Sequence, residues 1–204
     1  MKLQRLAGYG PAAAYVSALA LAAFFLILIT GNAIAQAVPV LIAPMTVVYL
    51  LALWLWLAAF AVVVFDLEWL EHPATSTRWF QVAHWATLVA AMAPVFLVLG
   101  LLIHSTFLSA LAVLVIGVCV GVSMLVHNID ARRAGLLQGW LPWVGILSGV
   151  GFVLAGIGIP LSLPPLGFTG LIVGQVLYIA WGIWMGVTLT HAKRAAAAPA
   201  STTM

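Results

Sequence analysis

Charge is what this sequence lacks. Of its 204 residues only 5% are Asp, Glu, Lys or Arg, where an average soluble domain carries about 25%. Seven basic and four acidic residues cannot cover a soluble surface of this size, which excludes a water-soluble globular domain. The basic residues are scattered and form no patch, which argues against a nucleic-acid partner. Cysteine is nearly absent. The single Cys119 permits no internal disulfide and no CxxC redox or zinc motif. There is no phosphate-cradling glycine loop, no nucleophile elbow and no HExxH.

What is present is apolar residue, 66% of the chain, gathered in runs long enough to cross a hydrocarbon layer of about 30 Å. Six spans are predicted: 11–29, 44–65, 79–103, 107–127, 141–159 and 168–190. Pro94 falls inside the third and predicts a kink. The fold class is therefore all-α, a polytopic transmembrane helix bundle. Residues 1–192 form one domain, and 193–204 a short disordered tail whose end, AAAAPASTTM, is small and polar.

Orientation follows from Lys and Arg. With six spans, Lys2, Arg5, Arg78, Arg132, Arg133, Lys193 and Arg194 all fall on one side, so both termini are expected in the cytoplasm. The six-span layout resembles that of many small bacterial membrane proteins, which implies the plasma (inner) membrane. MKLQR, an apolar run and AIA before Gln36 also match a secretory signal peptide. The run exceeds the usual ~7–15 residues of a signal core, so the reading adopted is a retained first span.

The segment GLIVGQVLYIAWGIWMG at 170–186 combines glycine, a glutamine and large aromatics. At ~100° per residue, Gly170, Gly174, Gln175, Tyr178, Trp181, Gly182 and Gly186 share one half of the helix. Ile172, Val173, Val176, Ile183 and Val187 take the other. In lipid, the small and polar half is expected to pack on protein. Gly117 with Gly121, Gly145 with Gly149, and Gly135 with Gly139 repeat the four-residue spacing. These predict a tight unit of spans four to six beside a bulkier unit of spans one to three. Such GxxxG faces serve internal packing first; the alternatives are a homo-oligomer or partner membrane subunits.

Two groups of residues carry candidate chemistry. Gln175, Tyr178 and Trp181, with Tyr49 and Trp56 on one face of the second span, would line an apolar ligand pocket with a single polar anchor; plain core packing accounts for the same residues. The second group lies toward the cytoplasmic side: Glu68, Glu71, His72, His84, His127 and Asp130. Imidazole with carboxylate suits zinc or iron, and facing histidines suit haem b. Interfacial placement accounts for these residues too. No Asp, Glu, Lys or Arg is predicted deep within a span, which weighs against an ion pump. The function expected is non-enzymatic, either a small carrier or receptor for an apolar or weakly polar molecule or an accessory subunit of a membrane complex. A membrane-embedded metal- or haem-dependent enzyme or redox protein is the alternative.

Overall fold

In the computed structural model, which describes residues 9–71 and 78–197, the chain is all-α. Its helices are α1 (Gly10–Ala37), α2 (Ile42–Glu71), α3 (Arg78–Met92), α4 (Pro94–Leu102), α5 (Thr106–Arg133), α6 (Leu141–Gly158) and α7 (Pro164–Ala197). Six segments are long and apolar enough to span a membrane, α3 and α4 counting together as one. Lipid-facing backbone must be satisfied within its own segment, which is why apolar runs of this length become helices.

Prolines punctuate the chain where a missing N–H costs least. Pro11, Pro94 and Pro142 stand in the first turns of α1, α4 and α6. Pro94 breaks the third span at Ala93, as the sequence implied. Ser105 caps α5 by accepting from the Leu108 N–H at 3.3 Å. Gly135 and Gly139, φ +74° and +66°, turn the chain between α5 and α6. This glycine pair serves turn geometry, and a Cβ on either would meet nothing nearby.

Around the bundle the helices follow the order α3–α4, α5, α6, α7, α1, α2. The densest packing is among α5, α6 and α7, as the glycine spacing predicted. The bulkier unit of spans one to three does not form. The third span packs on α5, and α1 packs on α7 as well as α2. The reason is that α1 also carries small residues: a Cβ on Gly182 would sit 3.0 Å from that of Ala18. Only a thin seam joins α2 to α3, α4 and α5.

The glycines of α5–α7 let backbones touch. A Cβ on Gly117 would come within 2.5 Å of Gly156 Cα, and one on Gly121 within 2.6 Å of Gly149 O. Gly151 faces the Gly174 backbone in the same way. The small-residue faces are thus covered by the chain's own helices, α7 by α6 and α1. The lipid side of α7 is as expected: Ile172, Val176 and Ile183 are about half exposed, whereas Gln175, Tyr178 and Trp181 are buried.

Several helices overrun the predicted spans. α2 continues past Phe65 to Glu71, and α5 past His127 to Arg133. α7 reaches Ala197, so helix replaces the start of the predicted tail; residues 198–204 lie outside the described part, as does His72. Glu71 lies in α2, but its side chain is outside the described part as well.

Candidate functional site

The aromatic residues of α1, α2, α6 and α7 meet in the middle of the bundle. Trp56 stacks on Phe152 with ring centroids 5.5 Å apart, and Tyr178 stands edge-on to both Trp56 and Phe152 at 5.7 and 5.8 Å. Tyr49 leans on Phe24 at 4.5 Å. Of the two tryptophans in the second span, Trp56 is buried and Trp54 faces outward, about half exposed. Each aromatic pair adds about 0.5–1.5 kcal/mol beyond its buried area, so this cluster is a rigid floor.

A cavity of about 200 Å³ lies beside the cluster. Of the five residues that the sequence grouped as a pocket, Gln175, Tyr49 and Trp56 line it, while Tyr178 and Trp181 stand behind the wall. Hydrogen bonding explains the division. Ser17 Oγ donates to Trp56 O at 3.4 Å, so the Tyr178 hydroxyl donates to Ser17. The Trp181 indole N–H donates to Asn128 Oδ1 at 2.8 Å, and Asn128 Nδ2 donates to Met124 O at 2.8 Å. Gly145 makes room for the Asn128 side chain. Both rings therefore have their polar atoms engaged.

Gln175 is different. It is 1% exposed, and its Oε1 has no hydrogen-bond partner among the described residues. A buried amide oxygen without a partner costs about 1–3 kcal/mol. Its neighbours on the cavity wall, such as Leu53, Ile116 and Ala155, are apolar and offer it nothing. Trp56 Nε1 also has no hydrogen-bond partner among the described residues, but this indole is packed against the Tyr178 ring.

The histidine and carboxylate group is partly assembled. Glu68, buried near the end of α2, meets two histidines from different helices. The His84 Nδ1–H donates to Glu68 Oε2 at 2.8 Å. His127 Nε2 stands 3.5 Å from the other oxygen, and neither His127 nitrogen has a hydrogen-bond partner among the described residues. One turn deeper, Thr87 Oγ1 donates to Ala83 O, which leaves the Ser123 hydroxyl to donate to Thr87 at 2.7 Å. Asp130 is buried apart from them, with Arg133 at 3.7 Å. Among the described residues no three His, Cys, Asp or Glu stand where they would hold a metal ion. The two imidazoles face different oxygens of one carboxylate, and only His84 is bonded to it. His104 lies in the exposed turn between α4 and α5, at the opposite end of the bundle.

Three carboxylates are buried near the ends of α2 and α5, away from the middle of either span. Asp66, Glu68 and Asp130 are all inside the bundle, because α2 and α5 extend beyond the apolar runs that marked the spans. The Asp66 carboxylate lies against Gly10 at the start of α1, where a helix N-terminus favours negative charge.

Sequence reasoning did not single out Asn128 or Thr87 as structural anchors. Nothing in their local pattern shows that a partner would come from a helix 53 residues away, as it does for Asn128 and Trp181. No protein-family model matches the chain, and no curated protein or solved structure does.

Proposed function

We propose that this multi-pass membrane protein is a non-enzymatic carrier or receptor for a small neutral molecule with an apolar body and one hydroxyl group, bound in the cavity beside Gln175. One observation carries the reading: Gln175, whose buried amide oxygen has no hydrogen-bond partner among the described residues, stands in the wall of a mostly apolar cavity. Ligand sites are mostly apolar with a few polar groups that fix orientation. A hydroxyl both donates and accepts, so it suits the Gln175 amide in either orientation of the terminal group. The cavity, at about 200 Å³, exceeds the ~150 Å³ apolar cavity that holds benzene. Trp56 and Phe152 offer ring faces to the ligand body.

The accessory-subunit alternative needed an exposed glycine face for a partner helix, and the packing glycines are covered from within. The distribution of Lys and Arg supports both termini in the cytoplasm and, for a bacterial chain, the plasma membrane.

The test uses the full chain in mild detergent. Binding of 2-naphthol is compared with binding of naphthalene, in the parent protein and in Gln175→Leu. The parent is expected to favour the hydroxylated probe by about tenfold, the size of one buried hydrogen bond. Gln175→Leu is expected to abolish that preference while still binding naphthalene. Equal affinity for the two probes in the parent would sink the reading.

A further inference from the structure

We propose that the ligand reaches this cavity from the end of the bundle that carries the α1–α2 and α4–α5 connections, through a neck formed by Leu28, Tyr49 and Leu97. This rests on the binding reading above and adds a route to it.

A second cavity, of about 350 Å³, lies between α1, α2, α4 and α5 and shares those three neck residues with the first. A third recess, also about 350 Å³, shares Leu101 and Ser109 with the second and reaches exposed His104 in the α4–α5 turn. The shared wall residues set the three spaces side by side from Gln175 to the bundle end.

The seam flanking this path is built to part. α2 touches α4 and α5 only lightly. In this half of the molecule no side-chain hydrogen bond or ion pair joins α2 to α4 or α5 among the described residues. The Thr46 hydroxyl donates to Ile42 O and the Ser109 hydroxyl to Ser105 O, each within its own stretch of chain. The other half of the seam is closed. There Glu68 of α2 pairs with His84 and approaches His127, and the Trp56–Phe152–Tyr178 cluster blocks the way from the cavity. Tyr49 stands at the junction, held on Phe24, so a turn of its ring widens or narrows the neck. The path is apolar with Thr46 and Ser109 hydroxyls along it, which suits a neutral molecule with one hydroxyl.

A route and a binding site fail differently, so rates and equilibrium are read together. In a Cys119→Ala background, Ser109→Cys is coupled to a bulky maleimide. Ser109 lines the outer spaces and not the Gln175 cavity. Stopped-flow binding of 2-naphthol is expected to show association and dissociation both slowed at least tenfold, with Kd unchanged. Thr46→Cys, labelled in the same way from the α2 side, is expected to do the same. Leu136→Cys, in the turn at the other end, is expected to leave both rates unchanged once labelled. Unchanged rates with both labelled mouth positions, or slowing only from Leu136→Cys, would overturn the route while leaving the binding site intact. Loss of the hydroxyl preference in the unlabelled parent would instead remove the site itself.

Discussion

At the scale of single residues, the interior divides polar groups into those engaged and those left open. Asn128 is fully buried and holds the Trp181 indole from α5 to α7. Replacing it by Leu leaves that N–H buried without a partner, a loss of about 1–3 kcal/mol. Asn128→Leu is therefore expected to unfold at lower denaturant than the parent in detergent. Trp181→Phe in the same chain is expected to recover part of the loss, because removing both partners costs less than removing one. Failure of the second change to restore anything would mean that the bond contributes nothing measurable. The residue scale is also where the sequence said least. Gln175, Tyr178 and Trp181 share a helical face, and periodicity shows that. Which of the three is satisfied depends on Ser17 and Asn128 from other helices, and no local pattern carries that information.

At the scale of helices, glycine sets the spacing. Gly117 and Gly156 bring α5 and α6 into backbone contact, and a Cβ on Gly117 would lie 2.5 Å from Gly156 Cα. Gly117→Ala is expected to destabilise the protein by about 1–3 kcal/mol through overpacking, read as a lower midpoint of unfolding. Val176→Leu, on the exposed face of α7, is expected to stay within about 0.5 kcal/mol of the parent. Equal effects at the two positions would contradict the helix crossing described. Span number, the break at Pro94 and the lipid-facing side of α7 were legible because each rests on period or on proline chemistry. Which spans are neighbours was legible only for α5–α7, where glycine pairs mark both sides of the contact. The third span is held to α5 by Thr87 with Ser123 and to α2 by His84 with Glu68, polar contacts that spacing alone does not reveal. The helix extensions at Glu68 and Asp130 lie beyond the predicted spans because hydropathy marks where apolar residue ends and not where helix ends.

At the scale of the whole molecule, the bundle is asymmetric between its ends. One end carries the start of α1, the end of α7, the two-histidine carboxylate contact and the described arginines at the tips of α3 and α5. The other carries short connections with no Lys or Arg in the sequence, and the chain of cavities opens there. Six crossings would put the start of α1 and the end of α7 on one side, and Lys and Arg are retained on the cytoplasmic side of short loops. The cavity mouth is then expected to face outward, so a ligand would approach from outside the cell or from the outer leaflet. This is checked in intact bacterial cells with Cys119→Ala chains carrying His104→Cys, Ser162→Cys or Leu136→Cys, treated with a membrane-impermeant maleimide. His104 and Ser162 lie in exposed turns at the mouth end, and Leu136 at the terminal end. Labelling of the first two without permeabilisation, with the third labelled only after it, is the expected result. The reverse pattern would turn the molecule over, and the same cavity would then draw its ligand from the cytoplasm.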